Sequence, residues 1–425
     1  MPGGAHRPLR GPGDRPDLAV ATDRRRRVGH NALIRRSISS PLLPLREFLR
    51  AETAGGFALL AATIAALAWA NLAPAAYEAL WHVPLAVPLP VTPLDLDARH
   101  WVNDGAMAVF FFVVGLEIKR ELVDGELRRP RQAALPLLAA VGGVVLPALI
   151  YLAFNRDGDA ARGWGIPMAT DIAFAVGVLA LVSPRVPIGL KVFLLSVAIV
   201  DDIGAIAVIA VFYSAGIELV WLAAAAVALT VFRAGWRMPP GPARAAVLVA
   251  VAALAWVLVQ GSGVHATIAG VALGLLVPAG GAEDPSAAER LEHTLHPWTS
   301  LLVVPVFALA NAGVVLAPDA LRQTIAHPVA LGVFFGLAVG KVVGIGGAAY
   351  AAIRLGVAER PAGVTWAQLV GASALGGIGF TVSLFISQLA FTDEQTIAAA
   401  KIGTFAASLT CAAGGYLLLR RATRH

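Results

Sequence analysis

Between residues 53 and 419 the sequence returns repeatedly to apolar runs of bilayer-crossing length. This recurrence constrains the fold more than any single motif. Hydrocarbon offers backbone N–H and C=O groups no water, so only helices or closed barrels span it. A spanning helix needs about 20 largely apolar residues. Twelve candidate segments follow: 53–72, 101–118, 133–154, 164–182, 188–213, 218–233, 244–260, 264–278, 297–316, 328–353, 364–390 and 394–419. Of the 425 residues 58% are hydrophobic and 14% charged, whereas soluble domains carry about 25% charge. Too few charges remain to build a water-facing surface. The expected fold is an all-α polytopic membrane protein of twelve transmembrane helices. The longest gap, 73–100, holds Pro-separated runs such as Val83–Pro84–Leu85 and Leu89–Pro90–Val91 and reads as a short hairpin outside the bilayer.

The net charge of +6 belongs to one end of the chain. Residues 1–50 hold eleven Arg against four acids, a net +7, so the other 375 residues sum to −1. Residues 1–45, rich in Gly, Pro and Arg and without periodicity, read as a disordered basic extension. They lack the apolar run of a secretory signal. A basic arm can lie on anionic lipid headgroups; nucleic-acid binding is disfavoured because no aromatic residues interleave the charges. Residues 46–425 form the membrane domain. With the N-terminus inside, twelve Lys and Arg fall in inner loops, among them Lys119, Arg120, Arg128, Arg129 and Arg131, against Arg99, Arg156, Arg162 and Arg322 outside. This asymmetry puts both termini in the cytoplasm. A lone cysteine, Cys411, excludes disulfide, zinc–thiolate and iron–sulfur frameworks. No phosphate loop is present: the run Gly336–Gly340–Lys341 is one residue short, and Val342 stands where Ser or Thr is needed. No cofactor and no nucleotide partner are expected.

Two segments carry their own breaks. The fourth reads GWGIPMATDIAFAVG, with Pro167 before Thr170 and Asp171; the eleventh reads GASALGGIGFTVSLFIS, with Gly376, Gly377 and Gly379 at its middle. Backbone groups freed at such breaks must be satisfied inside protein or by bound ions. Each broken segment is second in a trio, 133–213 and 328–419. Discontinuous helices at matching places in two halves point to inverted-topology repeats.

Ionised side chains at mid-membrane cost roughly 2.5–3.5 kcal/mol each on insertion scales, so they must be compensated or used. Asp171 lies centrally in the fourth segment, adjacent Asp201 and Asp202 in the fifth, Lys341 in the tenth; Lys191 and Lys401 lie nearer ends. The chain has 29 Arg but only four Lys, yet its intramembrane bases are lysines. Arginine keeps its proton, whereas a desolvated lysine can release one. Lys191 and Lys401 read as snorkelling residues; Lys341 is too deep for that. Neighbouring helix positions diverge by about 100°, so one of Asp201 and Asp202 can face a cavity while the other faces a helix. Two close carboxylates titrate as a coupled pair, and their oxygens suit a hard cation such as Na⁺. A proton or a cation can occupy them, not both. Asp171 and Lys341 have a second role open to them, neutralising half-helix N- and C-termini.

At these residues the chain resembles the NhaA-type sodium/proton antiporters. The matching stretches are WVNDGAMAVFFFVVGLEIKREL, ATDIAFAVGVLAL, VDDIGAIAVIA, SGVHATIAG, RLEHTLHPW, FALANAGV and GGIGFTVSLFI, in order from about Leu45 to Leu419. The resemblance implies twelve helices, inverted repeats, two interrupted helices crossing at mid-membrane, and a homodimer through 73–100. It implies electrogenic exchange of cytoplasmic Na⁺ or Li⁺ for protons at the bacterial inner membrane. Asp201 and Asp202 match the ion and proton site, Asp202 as main Na⁺ ligand and Asp201 paired with Lys341. Thr170 and Asp171 match the crossing. Glu117, Arg120, Glu121, Glu292, His293 and His296 match a cytoplasmic pH-response cluster, and Asp104 a further acid of less defined role. His293 and His296 at i, i+3 with Glu292 are compatible with a metal site, though histidine titration near neutral pH fits a pH-responsive cluster better. His265 reads as a packed histidine. The other functional classes are a passive cation channel, which needs no deprotonatable lysine, and a non-transporting Na⁺ or pH sensor.

Overall fold

The structure is a computed structural model that describes residues 1, 3–4, 42–88, 94–182, 186–214, 216–280, 285–316, 322 and 324–423, with side chains in the first helix from residue 53 onward. The expected basic extension therefore lies, from residue 5 to 41, outside the described residues. Met1–Phe48 and Leu49–His425 are separate units. In the first, helix is described from Leu42; apart from the start of that helix, everything below concerns the second.

Each of the twelve apolar segments contains helix, four of them only in part. In chain order come α1 (Leu42–Leu72), the short α2 (Pro74–Trp81), α3 (Met107–Val123), α4 (Pro130–Phe154), α5 (Ile172–Val182), α6 (Ile188–Phe212), α7 (Leu219–Gly235) and α8 (Pro242–Gly261). They continue as α9 (Thr267–Leu276), α10 (Ala287–Trp298), α11 (Val304–Asn311), α12 (Pro328–Arg354), α13 (Trp366–Leu375), α14 (Phe380–Ala390) and α15 (Glu394–Ala422). Among the described residues six helices are long and apolar enough to cross a membrane, or up to eight if each of two bent pairs is one span. Exposed Val211, Leu219, Val220, Val249 and Leu409 give these helices apolar outer faces, as a lipid-facing surface requires.

Local sequence sets many boundaries. Ser286 and Glu289 form a capping box that starts α10, and Thr365 with Gln368 does the same for α13. The Asp393 carboxylate accepts the Thr396 N–H at 2.8 Å and opens α15. The 73–100 gap makes the anticipated hairpin: Val87 and Leu94 exchange backbone hydrogen bonds at 2.8 and 3.0 Å, and Leu85 donates to Leu96 O at 2.8 Å. Its tip, 89–93, lies outside the described residues.

Helices α4, α5, α6, α12, α13 and α15 share a core that includes Leu135, Leu190, Phe193, Ile345, Leu369 and Leu419. Helices α3 and α7–α10 share another around Leu116, Phe232, Leu248 and Leu273. A third cluster, with Met107, Phe307, Leu337 and Phe385, joins them. Helices α4 and α12 meet through glycines: a Cβ on Gly142 would lie 2.3 Å from Gly344 O, and one on Gly344 2.2 Å from Gly142 O. Only residues without side chains permit that approach, which brings Lys341 on α12 into the interior.

Candidate functional site

The two interrupted helices meet at their breaks. A 3₁₀ stretch, Asp159–Met168, ends before Ala169–Asp171, and α5 resumes with a 41° bend; α13 and α14 are separated by Gly376–Gly379 with a 43° bend. Each break satisfies the other. The Asp171 N–H donates to Ile378 O at 2.6 Å, and the Thr170 hydroxyl to Gly376 O at 2.7 Å. Asp171 Oδ2 accepts from the Thr381 N–H (3.0 Å) and hydroxyl (2.7 Å), while Oδ1 accepts the Phe174 N–H at 3.1 Å. One buried carboxylate thus caps the N-termini of both α5 and α14, where helix dipoles place partial positive charge. The glycines are needed because a Cβ on Gly377 would lie 2.5 Å from Cys411 Sγ and 2.7 Å from Leu337 O.

Against this crossing α6 sets Asp201 and Asp202 in different surroundings. Asp201 is fully buried. Its Oδ2 pairs with Lys341 Nζ and accepts the Thr170 hydroxyl at 2.7 Å. Its Oδ1 is buried with no hydrogen-bond partner. Lys341 is also fully buried and closes a π-helical stretch, Gly336–Lys341. Such wide turns rephase the residues beyond them and recur at functional sites. Asp202 keeps 8% exposure and has no hydrogen bond or ion pair among the described residues, with Asp201, Glu117, Asp171 and Lys341 in electrostatic reach. The divergence expected of adjacent helix positions is therefore realised as one tied acid and one free acid. Of the second roles, Asp171 fills the N-terminal one, whereas the hydrogen bonds and ion pairs of Lys341 go to Asp201, not to a helix C-terminus.

The six residues of the expected pH-response cluster are only partly gathered. Arg120 Nη1 pairs with Glu292 Oε1 at 3.0 Å, joining α3 to α10. Glu117 is buried on α3, one turn before Arg120. Glu121 turns away, its Oε1 accepting the Glu126 N–H at 2.8 Å. His296 is buried and His293 exposed, so the i, i+3 pair does not present one liganding face. Among the described residues no three His, Cys, Asp or Glu side chains gather to hold a metal ion. Burial pushes the Glu292 carboxyl above its ordinary range, opposed by Arg120, His293 and His296.

Asp104 lies in a π-helical stretch, Trp101–Ala106, with Oδ1 3.4 Å from His265 Nε2 and Oδ2 accepting from Gln260 at 3.5 Å. His265 is packed, as its sequence context suggests, but it also has this acid partner and Thr267 Oγ1 at 2.8 Å from Nδ1. Lys401 corrects the snorkelling expectation: its side chain is buried, with Nζ 3.5 Å from Gly313 O. Sequence reasoning missed Thr381 and the amides Asn103, Asn311 and Gln388. Thr381 had a signal, a hydroxyl residue where a helix resumes after glycine. The amides had none, because their partners are 77 and 208 residues away in sequence.

A polytopic helical membrane protein is thus defined, with an ionisable centre at the crossing of two broken helices. The sequence model of the family described as Na⁺/H⁺ antiporter 1 matches residues 46–419, and the chain belongs to that family. Its relatives include proteins named Na(+)/H(+) antiporter NhaA from Bordetella parapertussis, 49% identical over 88% of this chain and 96% of theirs, and from Pectobacterium atrosepticum, 45% identical over the same shares. A protein named Na(+)/H(+) antiporter NhaA 2 from Erythrobacter litoralis is 47% identical over 88% of this chain and 93% of its own length.

Proposed function

We propose that the chain is a secondary active, electrogenic antiporter that exports cytoplasmic Na⁺ or Li⁺ in exchange for protons. In this reading it has twelve spans, inverted repeats over 133–213 and 328–419, both termini in the cytoplasm and a place in the bacterial inner membrane. It works as a homodimer, in contact with lipid, and needs no cofactor, since Na⁺, Li⁺ and H⁺ are its substrates. Six helices of spanning length, two bent pairs and the family membership support this topology.

The observation that carries the mechanism is the unequal pair at Asp201 and Asp202. Asp202, without a hydrogen-bond partner, is the cation's first ligand. Its neighbour is held by Lys341 and Thr170. A cation arriving between the two competes with the ammonium for Asp201 and sets Lys341 loose; the empty oxygen, Asp201 Oδ1, is then a further ligand. When the cation leaves, protons return to the same groups. The single hydroxyl hydrogen of Thr170 serves two acceptors. A protonated Asp201 would donate to Thr170 and leave that hydrogen to Gly376. Rocking of the repeats about the crossing alternates access. Regulation by pH is assigned to Glu117, Arg120, Glu121, Glu292, His293 and His296, on the strength of the bond from half-exposed Arg120 to buried Glu292.

The test is proteoliposomes in which an imposed Na⁺ gradient must drive protons uphill. The wild type should do so, and Asp202→Asn should not, while remaining in the membrane. Passive equilibration of both ions would indicate a channel; exchange retained by Asp202→Asn would remove this site from the mechanism.

A further inference from the structure

We infer that Phe385 and Gln388 on α14 are positioning residues that seal the outer end of the ion route, and that this seal must part for exchange to proceed. The inference rests on the exchanger reading above. Thr381, Phe385 and Gln388 stand at i, i+4 and i+7, one stripe of one helix. Thr381 holds the Asp171 carboxylate at the crossing. The other two reach away from the crossing, over roughly 10 Å at 1.5 Å per residue.

They form two layers. In the inner layer the fully buried Phe385 ring meets Phe111 at 5.5 Å, Phe307 at 6.1 Å and His265 at 5.2 Å between centroids. It has no polar group with which to replace the water of a passing ion. In the outer layer Gln388 Nε2 donates to Asn311 Oδ1 at 3.3 Å. The fully buried Asn311 in turn donates through Nδ2 to Asn103 Oδ1 at 2.7 Å and to Phe307 O at 3.0 Å, and Asn103 donates back at 3.4 Å. Gln388 and Asn103 are themselves half-buried, and with both termini in the cytoplasm the eleventh segment runs outward, so this layer is the outer one.

Both sealing residues belong to the segment 328–419, which carries the crossing. Every partner, on α3 and the turn before it, on α11 and just ahead of α9, lies outside 133–213 and 328–419. The seal therefore ties the repeats to the remaining helices, and rocking of the repeats about the crossing must part it. Its chemistry suits that use. Neutral amide bonds form and break at small net free-energy cost, unlike a buried ion pair. Because the sealing stripe and the cap on Asp171 share one half-helix, displacement at the seal is transmitted to the ion site.

Gln388→Leu keeps the bulk and removes the bond, which should favour the outward-open state. In oriented proteoliposomes the apparent KM for Na⁺ should rise at the inner face and fall at the outer face, about threefold each way, because a state's apparent affinity scales with its population. Shifts in the same direction on both faces, or no shift, would overturn the inference. A second arm pairs Asn311→Cys with Gln388→Cys, the buried Cys411 being kept. Oxidative cross-linking should cut exchange more than tenfold, reversibly with reductant, while ²²Na⁺ binding from the inner face persists. Undiminished exchange by cross-linked protein would overturn the seal alone. A wild type that exchanges nothing in the same preparation would overturn the exchanger reading, and this inference with it.

Discussion

Asp201 and Lys341 form a completely buried ion pair, an arrangement that is poor evidence for stability and strong evidence for use. Removing one member strands the other charge, at a cost of about 3–5 kcal/mol, whereas replacing both is close to neutral. Lys341→Gln should therefore lower the thermal midpoint in detergent substantially, and Asp201→Asn with Lys341→Gln should recover most of the loss while remaining inactive. Equal midpoints for the single and double variants would mean that the pair is not electrostatically closed. At Glu292 the sign is set by burial, which raises the carboxyl from its ordinary 4.5. A proton held more tightly in the folded protein contributes stability below that ordinary value and loses it as pH climbs through the raised one. The midpoint of the wild type relative to Glu292→Gln should accordingly fall as pH rises from 4.5, and Arg120→Gln should steepen the fall by removing the opposing charge. At this scale the sequence displayed the acids and Lys341 plainly, because charges in apolar runs demand a reason. It did not display which acid is tied, since that depends on Lys341 and Thr170 arriving from 140 and 31 residues away. Lys401 was misread for a similar reason: proximity to a helix end in sequence does not reveal that other helices cover the side chain.

Among the elements, the broken helices were legible and their mutual capping was not. Pro167 and the glycines mark where a helix stops; nothing local says that Asp171 will cap a half-helix 210 residues on. The π-helical stretches at Trp101–Ala106 and Gly336–Lys341 also escaped notice, because i→i+5 bonding leaves no compositional trace. The glycines of the break offer a sharp test. Gly377→Ala would drive a methyl to within 2.5 Å of Cys411 Sγ and 2.7 Å of Leu337 O, and should disrupt the crossing and abolish exchange. Gly347→Ala, on an exposed face of α12 with nothing within 4 Å, should be tolerated and add up to about 1 kcal/mol of helix stability. Comparable transport by both variants would show that the close approach at Gly377 is not required.

For the whole molecule, apolar run length located the helices of membrane-crossing character among the described residues, because the bilayer admits few alternatives to a closed backbone; it missed α2 and α10, which are not apolar runs of that length. Apolar length alone supports six to eight spans. The interrupted helices α5, α13 and α14 belong to the two bent pairs in that count, and α9 and α11 are short; the breaks serve the interior rather than the lipid. Such a design places the least regular backbone where charge must be handled and keeps regular helix against hydrocarbon. On this account one pair of carboxylates, backed by Lys341, is available to sodium or to protons in turn. The direct measurement is the Na⁺ dissociation constant of the purified protein by calorimetry across pH, with Asp202→Asn as control. Affinity should weaken progressively as pH falls, with protons released on binding in proportion, and the control should bind nothing. A dissociation constant that stays flat across the pH range, with no proton release, would contradict the account.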